Sequence, residues 1–263
     1  MIFVRRTYKI LLLLVLNIFF LLPGLLISAS FILGKSRQMQ LRTYGMMLWA
    51  QCLAAVLGLK IQASGERPYR RGLFIACNHC SYTDVLVIGS IMPAVFVAKA
   101  EVISWPVFGW LAKIGGTIFV NREAQRSTLL AVREAEEILA HSVNVVIFPE
   151  GTTDNGTQVD RFKSSFFRIP VTARLPVLPV SICYTSVDGK PPRTTPANEM
   201  AWHNMPLFPH FLNLLSKKRI DVRVHFNEAI DGNMPVLDRK KLADIAHQRI
   251  TEGFRMLQEK ATG

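Results

Sequence analysis

A histidine and an aspartate lie five residues apart in the segment 78–84, which reads NHCSYTD. An imidazole held at one nitrogen by a carboxylate presents its other nitrogen as an oriented general base, so His79 and Asp84 are candidates for proton transfer. On one continuous helix the two side chains would be about 500° of rotation apart, roughly 140° from a shared face. They therefore meet only if His79 lies in a loop before the helix. From this segment alone, a surface histidine beside an ordinary helix cap is an open alternative.

The elements around this segment follow from the apolar runs. Residues 73–77 predict a strand that ends just before the segment, and residues 84–92 predict the helix after it. Amphipathic helices are predicted at 127–141 and after Asp238. Strand–helix alternation predicts an α/β fold with a mostly parallel or mixed sheet flanked by helices, and a site in the loops at the carboxyl ends of the strands. The other predicted strands are 95–98, 117–120, 143–148, 177–183 and 222–226.

Polar residues follow two more of these strands, and a proline lies within a third. Arg122 follows the predicted strand 117–120, and its guanidinium is suited to bidentate recognition of phosphate or carboxylate. Glu150, Gly151 and Thr152 follow the strand 143–148 and combine a carboxylate with a glycine that permits a turn. Pro179 interrupts an apolar run. Each block also fits an ordinary alternative, respectively a surface arginine, a solvated glutamate and an edge strand.

The order and spacing of these blocks resemble the four motifs of the glycerolipid acyltransferase family, typified by 1-acyl-glycerol-3-phosphate acyltransferase. The resemblance covers roughly residues 60–235 and includes the hydrophobic N-terminus of bacterial members. The matching blocks are the His79–Asp84 pair, residues 116–122, residues 148–152 and residues 178–180.

The resemblance implies a reaction. His79 would take the proton from an acceptor hydroxyl, Asp84 would orient His79, and the hydroxyl would attack the thioester of acyl-CoA or acyl-carrier protein. A thioester is already activated, so a base and positioning suffice without a metal, a cofactor or a covalent nucleophile. The residues that the resemblance assigns to the acceptor head group are Arg122, Glu150, Gly151 and Thr152.

The identity of the acceptor depends on one departure from the family pattern. The resemblance implies 1-acyl-sn-glycerol-3-phosphate, acylated to phosphatidic acid. Many members of that type carry an arginine directly after the Phe-Pro-Glu-Gly-Thr block, where this chain has Thr153. Lys163 lies where the family often has a basic residue and is a candidate replacement. A lyso-ornithine lipid or another lysophospholipid is therefore the alternative acceptor.

The N-terminal region predicts membrane attachment. Residues 10–34 contain no charged side chain, and a run of about 20 apolar residues is enough to cross a bilayer. Pro23 and Gly24 interrupt the run, so a kinked or re-entrant helical hairpin is an alternative to a span. The shorter uncharged run 43–59 predicts an interfacial or partly inserted helix. We expect residues 1–59 to form membrane-anchoring helices and residues 60–263 to form the α/β acyltransferase domain.

The charge of the chain indicates its partners. The formal net charge is +12, from 31 Lys and Arg against 19 Asp and Glu, and many basic residues flank the apolar runs. This pattern suits the anionic cytoplasmic leaflet, whereas no nucleic-acid-binding module is present in the sequence. We expect membrane lipids and no nucleic acid as partners, and the cell inner membrane as the location, with the domain on its cytoplasmic face.

Other classes of chemistry find less support in the sequence. Cys77 and Cys80 form a C-x-x-C, but no second pair lies at zinc-like spacing, so no metal site is expected. No Gly-x-Ser-x-Gly or Gly-x-Gly-x-x-Gly motif is present, which disfavours a serine hydrolase and a dinucleotide-binding enzyme. The alternative from another class is a non-catalytic membrane protein that binds lipid through an inactive acyltransferase fold.

Overall fold

The computed structural model describes residues 2–30, 32–67, 71–105, 108–121, 124–192, 199–232 and 238–262. A short 3₁₀ helix, Ala100–Ser104, follows the third strand. The strands are β1 (Leu59–Gly65), β2 (Phe74–Cys77), β3 (Ala94–Lys99), β4 (Ile118–Val120), β5 (Asn144–Ile147), β6 (Val177–Val187) and β7 (Ile220–Phe226). The helices are α1 (Ile2–Ala29), α2 (Lys35–Leu57), α3 (Thr83–Ile91), α4 (Phe108–Ile114), α5 (Gln125–Ala140), α6 (Arg168–Ala173), α7 (Leu207–Ser216) and α8 (Arg239–Thr262).

The strands form one seven-stranded sheet in the order β1-β7-β6-β2-β5-β3-β4. Strands β2 to β6 run parallel to one another, and β7 pairs antiparallel to β6. The predicted mixed sheet flanked by helices is therefore confirmed. The carboxyl ends of β2, β5 and β6 lie side by side at one edge, with β2 between the other two.

Each of the six predicted strands corresponds to a strand of this sheet, and β1 was missed. Those in β2, β3, β5 and β6 are mostly apolar runs, which central strands of a parallel sheet require because both faces are buried, whereas β7 alternates between buried and half-buried residues and β4 is a short edge strand. Among the described strands, β1 pairs only with β7, and most of its residues are exposed or half-buried. An edge strand of this kind has no continuous apolar run to identify it.

Both faces of the sheet are covered by helices. In β2, Ile75 and Cys77 pack into a core formed with α2, α3 and α7, while Phe74 and Ala76 pack into a core formed with α5, α6 and α8. This alternation is the period of two expected of a strand. The end of β2 is thereby fixed from both sides, and so is the loop that follows it.

The N-terminal run forms one long helix that packs against a second. Helix α1 continues through Pro23, so the hairpin turn lies between α1 and α2 and not at the predicted interruption. Helix α1 is long and apolar enough to cross a membrane by length and composition. The C-terminal half of α2 belongs to the core, where Trp49 and Leu53 are buried. The α2 helix therefore shares its packing with the α/β domain.

Candidate active site

Asp84 lies in the first turn of α3 and is fully buried. Its Oδ2 accepts hydrogen bonds from the backbone N–H groups of Cys80 (2.8 Å) and Ser81 (2.9 Å). Backbone donors at a helix N-terminus favour a negative charge, so the loop 78–82 is folded around an aspartate at this position. The predicted arrangement, with the histidine in a loop before the helix, is present.

His79 lies in that loop, two residues after β2, and its Nδ1 is 2.8 Å from Asp84 Oδ2. The His79 side chain is 18% exposed and that of Asp84 is 1% exposed. The imidazole stacks on the ring of Phe148, with centroids 4.0 Å apart and an angle of 18° between the planes. A carboxylate on Nδ1 fixes the proton on that nitrogen, which leaves the lone pair of Nε2 as the basic atom. The geometry is that of an oriented base at a partly open surface.

Tyr184, which the sequence analysis missed, completes the surroundings of Asp84. Its hydroxyl donates to Asp84 Oδ1 at 2.7 Å and lies 2.6 Å from Thr83 Oγ1. Burial and the neighbouring Asp84 charge raise the pKa of Tyr184 well above its ordinary value, so the phenol stays protonated and remains a donor. Tyr184 lies on the part of β6 that extends beyond the end of β2.

Glu150 lies in a turn directly after β5 and faces the backbone of the histidine loop. Its Oε1 accepts from His79 N at 3.1 Å, and the residue is 4% exposed. Burial, reinforced by the charge of Asp154, raises the pKa of Glu150 to about 10, so this side chain is neutral at pH 7. Its second oxygen, Oε2, is buried without a hydrogen-bond partner among the described residues. A protonated Glu150 therefore carries an unused donor beside His79.

Asp154 is a second buried carboxyl group in the same loop, and the sequence analysis did not single it out. Its backbone N–H donates to His79 O at 3.3 Å, and its Oδ1 accepts from Gly156 N at 2.6 Å. The residue is 5% exposed, and Oδ2 has no partner in the described ranges. Burial raises the pKa of Asp154 to about 6. A short polar side chain before an Asn-Gly pair was the available signal.

Thr153 occupies the position where a family arginine was expected, and its side chain is engaged by the protein itself. The hydroxyl donates to Trp202 O at 2.5 Å, and His203 Nδ1 lies 3.1 Å from Thr153 O. Trp202 N in turn donates to Cys80 O at 2.8 Å. The segment after β6 is thus tied to both the Glu150 loop and the histidine loop, which the sequence did not indicate.

The other predicted binding residues are placed at different distances from this centre. Gly151 is buried and has φ = 83°, a conformation that favours glycine, whereas Thr152 is exposed. The Lys163 backbone N–H donates to Pro149 O at 2.8 Å, and its side chain is exposed. Arg122 lies outside the described residues. The described strand that precedes it in the sequence, β4, is the third strand from β2 in the sheet, which puts β4 roughly 14 Å from β2.

The two cysteines of the C-x-x-C are buried, and burial raises the pKa of both thiols well above the ordinary value. Neutral, inaccessible thiols are poor nucleophiles and poor metal ligands. Among the described residues, no group of three or more His, Cys, Asp and Glu side chains is arranged to hold a metal ion.

Comparison with known proteins places this site in a family. A family model described as "Acyltransferase" matches residues 59–183, which include the histidine loop, the Glu150 loop and most of β6. Lyso-ornithine lipid O-acyltransferase of Rhizobium meliloti (strain 1021) is 35% identical over 223 residues, which cover 82% of this chain and 75% of that protein.

Two further proteins are similar to this chain, one in sequence and one in fold. The 1-acyl-sn-glycerol-3-phosphate acyltransferase of Neisseria meningitidis serogroup B is 32% identical over 66% of each chain. The crystal structure of the 1-acyl-sn-glycerophosphate (LPA) acyltransferase PlsC from Thermotoga maritima has the same fold, with a TM-score of 0.66, 20% identity and 98% coverage of both chains. The chain therefore belongs to the glycerolipid acyltransferase family.

Proposed function

We propose that this O-acyltransferase transfers a fatty acyl chain from acyl-CoA or acyl-carrier protein to the hydroxyl of a lyso-ornithine lipid, with His79 as the general base. The observation that carries the reaction is the 2.8 Å contact between His79 Nδ1 and Asp84 Oδ2, with the imidazole at the surface and the carboxylate buried. A buried, hydrogen-bonded carboxylate both fixes the tautomer and stabilises the imidazolium that forms when the base accepts a proton.

The chemical step needs only groups that the protein or the donor supplies. Nε2 of His79 takes the acceptor's hydroxyl proton as the oxygen bonds to the thioester carbonyl carbon. The tetrahedral intermediate then expels the thiolate, and the imidazolium returns its proton to that sulfur. An ester and a free thiol result, and the base is restored.

The acceptor assignment rests on the loop after β5. A phosphate-monoester head group calls for a guanidinium, yet this position holds Thr153, whose hydroxyl is bonded to Trp202 O. Next to it, Asp154 is a buried carboxyl group with a pKa raised to about 6, so at neutral pH it is largely ionised and would repel a phosphate. A zwitterionic ornithine head group meets less of this repulsion. The similarity to lyso-ornithine lipid O-acyltransferases supports the same acceptor.

A second acceptor has its own support. Relatives named 1-acyl-sn-glycerol-3-phosphate acyltransferase are 32% identical to this chain, and Arg122 and Lys163 are available cations in the sequence. If lysophosphatidate is the acceptor, these two residues are the candidates to bind its phosphate. Glu150, Gly151 and Thr152 would then line the head group for either acceptor, with Glu150 acting as a neutral donor.

A side-by-side assay separates the two acceptors. Purified protein in detergent is offered lyso-ornithine lipid, lysophosphatidate, lysophosphatidylglycerol and lysophosphatidylethanolamine at equal concentrations with one acyl donor. We expect kcat/KM to be highest for lyso-ornithine lipid, and Arg122→Ala to change that value little. A preference for lysophosphatidate that disappears in Arg122→Ala would establish the second acceptor instead.

Attachment to the membrane is part of the same proposal. Both the lysolipid and the diacylated product partition into a bilayer, so an enzyme held at its surface meets its acceptor there. We propose that residues 1–59 attach the chain to the inner membrane and that residues 60–263 hold the chemistry on the cytoplasmic side. The exposed apolar face of α1 and the surplus of basic residues support this placement.

A further inference from the structure

The structure points to Tyr184 as a positioning residue for the reaction. We propose that its hydroxyl locks the Asp84 carboxylate in the one orientation that serves His79, so that loss of the hydroxyl lowers turnover without weakening substrate binding. The inference rests on the proposed role of His79 as the base. It assigns to β6 a part in the chemistry that neither the sequence motifs nor the comparisons assign.

The two oxygens of Asp84 have separate sets of partners. Oδ2 accepts from His79 Nδ1, Cys80 N and Ser81 N, whereas Oδ1 accepts from the hydroxyl of Tyr184 at 2.7 Å. A carboxylate held at only one oxygen can rotate about its Cβ–Cγ bond. Rotation would carry Oδ2 out of line with the His79 ring. The hydrogen bond from Tyr184 to Oδ1 opposes this rotation and so keeps Oδ2 aligned with His79 Nδ1.

Tyr184 is itself held rigidly. Both Tyr184 and Asp84 are buried, and Thr83 Oγ1 lies 2.6 Å from the Tyr184 hydroxyl. Because the phenol has one proton and gives it to the carboxylate, the Thr83 hydroxyl is the donor in that second contact. The chain of donors runs from Thr83 to Tyr184 to Asp84, and every member lies on α3 or β6. A buried polar network of this kind is stable only when each group is satisfied.

The backbone also couples the strand of Tyr184 to the loop of His79. The Asn78 side chain donates from Nδ2 to Ile182 O at 2.9 Å and accepts at Oδ1 from Ile182 N at 2.8 Å. These two bonds extend the pairing of β2 and β6 past the last residue of β2. Tyr184 lies two residues after Ile182 on β6, and Ile182 is bonded to Asn78, the residue before His79. The geometry sets the tyrosine and the histidine on opposite sides of one carboxylate.

The variant that tests this role is Tyr184→Phe, which removes one oxygen and keeps the ring. A hydrogen bond to a charged partner corresponds to roughly a 10-fold to 100-fold change, so kcat should fall by that factor while KM for both substrates stays within about twofold. The matched control is Ser181→Ala on the same strand. Ser181 is buried and its Oγ donates to Ile250 O on α8 at 2.8 Å, away from Asp84. It should lower thermal stability and leave kcat unchanged.

A spectroscopic readout makes the test independent of catalysis. Protein labelled with ¹⁵N-histidine should give a low-field proton resonance for the Nδ1–H of His79, identified by its loss in His79→Ala. We expect this resonance to shift or broaden in Tyr184→Phe and to stay in place in Ser181→Ala. An enzyme that lacked activity on every lysolipid would refute the proposed function, yet the resonance would still report on Tyr184.

Two results would overturn the proposal. The first is a Tyr184→Phe protein with the wild-type resonance and the wild-type kcat. The second is an equal loss of kcat in Tyr184→Phe and Ser181→Ala that follows their loss of stability, since that would make Tyr184 an ordinary packing residue.

Discussion

At the scale of single residues, the site contains three buried acidic groups that differ in how completely their oxygens are hydrogen-bonded. Asp84 is buried with its oxygens fully bonded, whereas Glu150 and Asp154 are buried with one oxygen each left without a partner among the described residues. The fully bonded carboxylate is the one that contacts His79. The other two carry raised pKa values, about 10 for Glu150 and about 6 for Asp154. At neutral pH, Glu150 therefore adds no negative charge beside His79, whereas Asp154 is largely ionised.

Asp154→Asn should stabilise the protein in a pH-dependent way. Burial raises the pKa of this group from 3.8 to about 6, so its contribution favours the folded state at low pH and is lost as pH rises through 6. At about 1.4 kcal/mol per pKa unit, about 3 kcal/mol is the upper bound for the cost of the ionised group, and solvent screening makes the cost at pH 8 smaller than this. Asparagine keeps the Oδ1 acceptor for Gly156 N and removes the charge. Unfolding followed from pH 4 to pH 8 should show a gain that grows with pH.

Asp238→Asn is the control, because its effect on the free energy of unfolding at high pH is expected to have the opposite sign. Backbone hydrogen bonds from Lys241 and Lys240 lower the pKa of this exposed carboxyl group. Its stabilising contribution is therefore present at neutral pH and is lost as pH falls. We expect the Asp238→Asn protein to be less stable than wild type at pH 8 and nearly equal to it at low pH. An Asp154→Asn protein that is no more stable than wild type at pH 8 would contradict the assignment of a penalised carboxylate.

The sequence predicted part of the site at this scale. His79 and Asp84 are five residues apart, so a strand–loop–helix interpretation is enough to bring them together. Tyr184 is 100 residues from Asp84, and their contact depends on how far β6 runs past β2. No local pattern encodes that distance. Burial, which raises the pKa values of Glu150 and Asp154, likewise depends on packing that the spacing of residues does not describe.

At the scale of elements, three neighbouring strands supply the site. The histidine loop follows β2, Phe148 and Glu150 follow β5, and Tyr184 lies on β6. The apolar runs predicted all three strands, because strands buried on both faces require such runs. The end of β6 was placed too early: its prediction stopped at residue 183, whereas the strand continues to Val187. Residues 184–187 are on average more polar than the apolar run before them. The sequence pattern therefore does not indicate that the strand continues through Tyr184.

Asn78→Ala should remove the two side-chain hydrogen bonds that join β6 to the loop 78–82, which carries His79. The side chain satisfies both backbone groups of Ile182, so its removal leaves a buried N–H and a buried C=O without partners. We expect a loss of about 2–4 kcal/mol in the free energy of unfolding, together with at least a tenfold fall in kcat. Chemical denaturation and steady-state kinetics on the same preparation measure the two effects.

Asn144→Ala is a matched control at the amino-terminal ends of the parallel strands, opposite the candidate site. Asn144 accepts from Leu73 N at 3.0 Å and donates to Pro93 O at 2.9 Å, so it makes the same pair of bonds at the start of β5. Its loss should cost similar stability and leave kcat within about twofold of wild type. Equal losses of kcat in the two variants would mean that Asn78 affects turnover only through global stability.

At the scale of the whole molecule, α1 presents a long apolar face that the protein does not cover. Phe19 is 67% exposed, and other large apolar side chains line the helix from Ile2 to Leu26. The opposite face packs against α2, α4 and α7. The sequence predicted an apolar segment of this length, but the way one face docks on the domain depends on tertiary packing. An exposed apolar face of this size marks an interaction surface, and its length and composition fit the proposed contact with a lipid bilayer.

Phe19→Asp should weaken membrane binding, because it places a charge on that face without disturbing the packed face. In a flotation assay with vesicles that contain anionic lipid, we expect a clear shift of this variant to the soluble fraction. Leu130→Asp is the control, since Leu130 is 56% exposed on α5, outside α1. The membrane proposal fails if the two variants float alike.

The most direct test of the account is the activity of His79→Ala in purified protein. Transfer of a labelled acyl chain to the set of lysolipids is compared among wild type, His79→Ala and His141→Ala, the last a histidine at the C-terminal end of α5. General-base catalysis typically contributes about 10²-fold to 10⁴-fold, so His79→Ala should lose at least about 100-fold in kcat while His141→Ala keeps wild-type activity. Full activity in His79→Ala would contradict the mechanism, and a wild-type protein inactive on every lysolipid would instead favour a non-catalytic lipid-binding protein.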